Sequence, residues 1–160
     1  MLDVVPISKT GFNKLKEELD KLEKELTQVR IEVAAARELG DLKENGAYIY
    51  GRERQGFIEG QIGELKGKIN RSDIVDCTQV ETGQAAFGTV VTLLDLDANE
   101  TVTYQLLGPD EANADTGSIS IESPVGEAIL GHAVGEKFSV TIPRGDRNFE
   151  VVKIEKSEIE

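Results

Sequence analysis

The sequence predicts an α+β chain: a long antiparallel α-helical coiled-coil hairpin at the N-terminus, followed by a small antiparallel β-sheet domain with one short helix. Three observations predict it. Apolar residues recur at alternating steps of three and four from Phe12 to Ile69. That pattern breaks once, at Gly40-Asp41-Leu42-Lys43-Glu44-Asn45. From residue 73 the period becomes that of short β-branched runs separated by turn residues. The 160 residues therefore divide into a hairpin domain, 1–75, and a sheet domain, 76–160.

Helix one is read from Phe12, Leu15, Leu19, Leu22, Leu26, Val29, Val33 and Ala36, about four heptads of a two-seam pattern. Ser8 stands where an N-cap belongs, Gly11 takes the place at which a Glu would complete a capping box, and Gly40 supplies the stop. The helix then covers residues 9–39. The pattern resumes at Tyr48, Gly51, Gln55, Ile58, Ile62, Leu65 and Ile69. Two helices of similar length joined by a short turn run antiparallel, seam against seam, and at 1.5 Å rise per residue the hairpin is about 45 Å long. Glycines at 46, 51, 56, 60, 63 and 67 fall inside helix two. Each costs about 1 kcal/mol relative to alanine, so this arm is expected to lean on the first and to fray at the turn.

Beyond the hairpin, Asp73-Ile74-Val75-Asp76 is a short candidate strand. Residues 87–94 and 101–107 flank the turn residues Asp97-Ala98-Asn99-Glu100. Residues 118–121, 137–142 and 148–154 complete about five strands, with Arg144-Gly145-Asp146 turning between the last two. Pro124 to Leu130, opening after Ser123 and closing before Gly131, reads as the single short helix.

Charge divides the chain more sharply than composition does. Residues 1–75 carry 13 Lys and Arg against 14 Asp and Glu, whereas residues 76–160 carry 5 against 16, so nearly all of the net charge of −12 lies in the second half. Phosphates would be repelled there; a basic protein surface is the better partner. Around the turn Arg37, Lys43, Arg52 and Arg54 cluster, serving either phosphates beside the carboxylates or ordinary salt pairs on the helix surface. No apolar run opens the chain, so neither a signal peptide nor a membrane span is expected. The single Cys77 permits no internal disulfide and fits a reducing, cytoplasmic setting. It reads as a small strand residue, and His132, with no base and nucleophile around it, as a neutral surface or interface histidine.

Asp41 and Glu44 carry two readings. Three residues apart before helix two, they form a capping box; they also form a carboxylate pair displayed at the end of a probe. The readings coexist, because a cap uses one carboxylate oxygen. With no Cys or His nearby, an ion held there is hard, magnesium or manganese. Two carboxylates supply only part of an octahedral shell, so the site stays incomplete until another macromolecule adds ligands.

Taken in order, Gly40-Asp41-Leu42-Lys43-Glu44-Asn45, Tyr48, Gly56-Phe57, Glu59-Gly60, Phe87-Gly88-Thr89-Val90-Val91, Ser123-Pro124 and Leu130-Gly131 resemble the bacterial transcript cleavage factors of the GreA and GreB family, over essentially the whole chain. Leu42-Lys43 and Arg54-Gln55-Gly56-Phe57 are closer to GreA, while Tyr48-Ile49-Tyr50-Gly51-Arg52 has a GreB character. The resemblance implies an auxiliary factor for stalled RNA polymerase that is not itself an enzyme. In such factors the coiled coil enters the polymerase secondary channel. The tip carboxylates help the polymerase active site hold a second magnesium ion and an attacking water, and the polymerase cuts its own backtracked RNA. It implies Asp41 and Glu44 as the metal-orienting pair, with Mg2+ shared with the polymerase and not held stably by the free protein. Arg37, Lys43, Asn45, Tyr48 and Arg52 are implied as contacts to polymerase or RNA near the tip. The nascent RNA 3′ end and the DNA template are then met only inside the elongation complex, by a monomer. The sheet domain resembles the family's FKBP-like domain, which docks on a coiled coil at the channel rim; Ser123 and Pro124 lie in the segment that matches the docking motif.

The chain departs from that pattern at one place in the tip. The family continues Asn-Ala-Glu-Tyr after the second carboxylate, and here the residues are Asn45-Gly46-Ala47-Tyr48. One acidic side chain fewer and one more glycine predict a softer tip and weaker cleavage stimulation. Two rival classes stand beside the main reading. A Gre-like channel binder that inhibits polymerase is disfavoured by the retained Asp41 and Glu44 and by the lack of a larger acidic cluster. The other is a binding or folding module, either a prefoldin-like clamp or an FKBP-type prolyl isomerase, and the isomerase is disfavoured by the scarcity of aromatics. After residue 76 there are only Phe87, Tyr104, Phe138 and Phe149 with which to line a pocket.

Overall fold

The computed structural model describes residues 4–40 and 45–160. They form two compact units, one made of the described residues up to Phe12 together with Ser72–Glu160, the other of Asn13–Arg71.

Helix α1 (Lys9–Glu38) begins in the first unit and carries the chain into the second, where α2 (Gly46–Asn70) packs against it. Leu26, Val29 and Val33 of α1 meet Ile58 and Ile62 of α2, with Leu19, Leu22 and Tyr48 against them. Every position of the two predicted seams is buried or half-buried. Each fully buried Leu, Ile or Val contributes about 1.5–3 kcal/mol. The cross-arm ion pairs Arg54–Glu25 (3.0 Å), Arg30–Glu59 (3.4 Å) and Lys66–Glu23 (3.9 Å) join exposed groups and are worth about 0–1 kcal/mol each. The seam therefore holds the hairpin together, and the ion pairs add register.

The glycines of α2 are not equivalent. A Cβ added at Gly63 or Gly67 would meet nothing within 4 Å, whereas at Gly51 it would stand 2.8 Å from Val33 Cγ2. Gly51 thus marks a close approach of the two arms. Gly63→Ala and Gly67→Ala are expected to raise hairpin stability by about 0.5–1 kcal/mol each, and Gly51→Ala to lower it. Urea unfolding of the three variants checks this; a gain at Gly51 would contradict the close packing described.

In the other unit β1 (Val5–Ser8) pairs in parallel with β2 (Ser72–Val75), Val5 opposite Ser72. Four residues including Pro6 give no alternation to read in the sequence; β1 and β2 both lie in the unit that holds the five-stranded sheet. Ser8 ends β1 and caps α1, accepting from Gly11 N at 3.0 Å.

A five-stranded sheet in the order β5-β4-β3-β7-β6 is built from β3 (Val90–Asp95), β4 (Glu100–Leu107), β5 (Ser118–Ser120), β6 (Lys137–Ile142) and β7 (Gly145–Glu155). Four of these strands pair antiparallel, as expected, but β5 runs parallel to β4. The chain between them, with a 3₁₀ turn at Ala114–Thr116, makes the crossover that parallel pairing requires. One extra residue, Val152, bulges β7 where Thr92 faces Lys153 and Leu93 faces Val151. Alternation along β3 turns Val91 and Leu93 inward, where they pack with Leu106, Val140, Phe149, Val151, Ala85 and Ile129, the last from helix α3 (Pro124–Ile129). Asp95 ends the buried face of β3. Arg147 donates to it and holds its carboxyl below the usual carboxylate range, helped by the amides of Ala98 and Asp97.

Candidate functional site

The tip of the hairpin is built by a stop and a cap. Gly40 adopts φ +82°, and its amide donates to Arg37 O at 3.2 Å, closing α1 in the left-handed conformation that suits glycine. Asn45 is the N-cap of α2, its Oδ1 accepting from Tyr48 N at 3.0 Å and its carbonyl from Ile49 N at 3.0 Å. Its Nδ2 donates at 2.6 Å to Ala36 O in the last turn of α1, a carbonyl that also accepts from Leu39 N at 3.2 Å. One side chain thus bridges both helix ends. The capping-box spacing places the cap four residues earlier, but the amide of Asn offers both an acceptor and a donor, and an ionised carboxylate has no donor for Ala36 O. The preference of Asn for N-cap positions immediately before the helical Gly46-Ala47-Tyr48 is the signal that finds it. Asp41, Lys43 and Glu44, together with Leu42, lie outside the described residues.

The basic residues near the turn separate into two kinds. Arg54 pairs with Glu25 at 3.0 Å and Glu32 at 3.7 Å across the arms, an ordinary surface network. Arg37 instead reaches across to the other arm: its Nη2 is 3.4 Å from Tyr48 Oη and its guanidinium carbon 5.7 Å from the ring centroid. The bond from Arg37 holds the Tyr48 phenol below its ordinary value, and the charge of Arg52 adds to the effect. Arg37, Asn45 and Tyr48 are therefore linked to one another, and Arg52 follows one helical turn after Tyr48 on α2. Leu39, Ile49 and Tyr50 are exposed along the same part of the hairpin.

In the sheet unit Ser123 and Pro124 open α3. The Ser123 hydroxyl accepts from Gly126 N at 3.1 Å and donates to Ser120 O at 2.6 Å, and Pro124 takes the first helical position, where its missing N–H costs nothing. Pro124 is exposed and Ser123 half-buried. The serine is thus a structural cap that fixes where the proline is presented.

Residues 5–74 match the family described as transcription elongation factor, N-terminal, and residues 80–156 the family described as transcription elongation factor, GreA/GreB, C-term. The chain belongs to the GreA/GreB family of transcription elongation factors. It is 49% identical over 155 residues to transcription elongation factor GreA of Desulfotalea psychrophila, covering 96% of each chain. With GreA of Maridesulfovibrio salexigens it shares 44% identity over 153 residues, again 96% of each. Among solved structures, the GreA factor homolog 1 protein of Thermus thermophilus aligns with a TM-score of 0.45 at 30% identity, covering 96% of this chain and 99% of that one.

Other residues of this GreA-type chain are accounted for by packing. Cys77 is fully buried, and burial pushes its thiol up to about 11, the signature of an inert side chain. His132 lies 2.8 Å from Glu136 through Nδ1 and stacks on Phe138. The sheet unit has an open depression of about 360 Å³ lined by Tyr104, Phe149, Val102, Val125, Val140 and Ile142 together with the polar Asp95, Glu100, Thr101, Arg144 and Arg147. Only two of the four aromatics, Tyr104 and Phe149, line it; aliphatic side chains of β4, β6 and α3 and charged groups make up the rest. No helix among the described residues is long and apolar enough to cross a membrane.

Proposed function

We propose that this protein binds RNA polymerase, inserts its hairpin into the secondary channel, and stimulates the polymerase's own cleavage of backtracked nascent RNA. The observation that carries the reading is the tip. The N-cap of α2 is Asn45, and the sequence holds two carboxylates, Asp41 and Glu44, between the arms of a hairpin whose residues match the family's N-terminal model. Their donor set fits a hard cation. A magnesium ion shared with the polymerase supplies charge neutralisation at the phosphodiester and activation of water.

The chain's own residues do the positioning. Asp41 and Glu44 complete an oxygen shell begun by the partner. Arg37 and Arg52 set positive charge beside the turn, where RNA phosphates or acidic polymerase groups are met, Lys43 adds a third cation, and Tyr48 holds Arg37 across the arms. Ser123 and Pro124 present the docking segment to the coiled coil at the channel rim. The protein supplies no hydrolytic machinery of its own, and it works as a cytoplasmic monomer that meets RNA and template only inside the elongation complex.

Added to backtracked elongation complexes, the wild type is expected to accelerate release of 3′-terminal RNA fragments, and Ala47→Glu, which restores an acidic side chain on the exposed side of α2, to accelerate it further. Release no faster than in polymerase alone defeats the proposal, and inhibition would favour the channel-blocking alternative.

A further inference from the structure

The side-chain amide of Asn45 is committed within the hairpin. Its Oδ1 accepts from Tyr48 N at 3.0 Å, while its Nδ2 donates to Ala36 O at 2.6 Å and, at the longer 3.5 Å, to Gly40 O. A neutral amide offers two N–H donors and one carbonyl oxygen, so both donors and the acceptor are engaged. The groups it holds are themselves fixed. Ala36 is the last seam position of α1 and is buried, and the half-buried Tyr48 packs on the cluster of Leu26, Val29, Val33, Ile58 and Ile62 that joins the arms. Gly40 donates in turn to Arg37 O at 3.2 Å, at φ +82°. Ala36, Gly40, Asn45 and Tyr48 all belong to the hairpin unit.

We propose that Asn45 is a positioning residue for transcript cleavage, serving by tying together the two ends of the tip connection rather than by touching RNA or polymerase. Asp41 directly follows Gly40 in the chain, and Glu44 directly precedes Asn45. Each carboxylate residue is thus bonded to a residue that the amide bridge fixes. Holding the ends of a short connection lowers the entropy cost of ordering it, and catalytic geometry is sensitive to misplacement of about 1 Å. An acidic residue cannot substitute: an ionised Asp keeps an acceptor for Tyr48 N but has no donor for Ala36 O or Gly40 O. Ser is also a preferred N-cap and keeps that acceptor, yet its shorter side chain ends before Ala36 O. Capping α2 and bridging the arms are therefore separable duties of one residue. This inference rests on the cleavage reading above.

Two substitutions separate those duties: Asn45→Ser keeps the cap and loses the bridge, and Asn45→Ala loses both. In cleavage of backtracked complexes each lowers the rate at saturating factor about tenfold with the half-saturating concentration unchanged, although Asn45→Ala melts about 2–4 °C below Asn45→Ser for want of the cap. A full rate in Asn45→Ser, or a rate that follows melting through the two variants, overturns the positioning role. A raised half-saturating concentration with the full rate kept makes Asn45 a contact residue and overturns it too. The bridge also has a readout of its own. In nuclear magnetic resonance of the whole protein the side-chain amide protons of Asn45 exchange with solvent about tenfold more slowly than those of the exposed Asn99; equal exchange removes the bridge, whatever the protein does to polymerase. A wild type that stimulates no cleavage defeats the functional reading and the positioning role with it, and a protected amide then marks a bridge that serves the fold alone.

Discussion

Under the proposed function, Asp41→Asn and Glu44→Gln are each expected to lower the rate of RNA cleavage in backtracked complexes by roughly 10- to 100-fold, the range found when a group that orients a metal is lost, with the factor concentration giving half the effect unchanged. Both substitutions keep shape and remove one negative charge. The neutral amide is a weaker donor to a hard cation, so raising magnesium restores part of the lost rate. Folding is not at risk, because Asn45 supplies the cap of α2 and the bond to Ala36 O that join the two arms. The measurement is a titration of each variant against stalled complexes at two magnesium concentrations. Normal cleavage by variants that still compete with wild type for polymerase removes Asp41 and Glu44 from the mechanism. A parallel loss of affinity makes them docking residues instead.

Gly126→Ala is expected to destabilise the sheet unit by about 1–3 kcal/mol, the cost of forcing extra volume into a filled site. The added Cβ would fall 1.9 Å from Ser120 O and 2.9 Å from Ser123 Oγ, a collision with backbone that no rotamer change relieves. It also displaces the hydroxyl that bridges Ser120 O and Gly126 N, so Pro124 is no longer presented in the same place. The thermal midpoint of this unit falls by about 5–15 °C, and polymerase affinity falls with it. Gly63→Ala, where the same change meets open space, is the control and moves stability the other way. An unchanged midpoint in Gly126→Ala would mean that α3 does not pack as described.

Those two variants touch parts of the molecule that differ in how far the sequence discloses them. The hairpin seam is readable because helical geometry writes it directly as three-four spacing, and Leu26, Val29, Val33, Ile58 and Ile62 all lie in the packed stripe. The strands from Val90 onward announce themselves through alternation and turn residues. What escapes are pairings whose partners are remote. Four residues at β1 carry no period, and the direction of β5 depends on how a ten-residue connection folds. The link from Arg37 to Tyr48 depends on the register of two helices. The tip cap escapes for a different reason: the capping-box spacing points to Asp41, whereas the N-cap of α2 is Asn45. The carboxylates are legible both as a local pair between two helical patterns and as part of the family motif, and their role rests on chemistry and on the experiment above.

The parallel pairing of β1 with β2 has a consequence for how the chain is made. Val5 and Ser72, 67 positions apart, are register partners, so the whole helical hairpin is the crossover connection of a two-stranded parallel pair. During synthesis β1 waits for its partner for several seconds at about 5–20 residues per second, while the local contacts of the hairpin form in micro- to milliseconds. Once zipped, the two arms replace a long floppy loop by a rod whose ends lie side by side, which removes most of the closure entropy of bringing β1 to β2. The hairpin is in that sense the sheet unit's own assembly jig, and a substitution that loosens its seam delays completion of a unit it does not belong to.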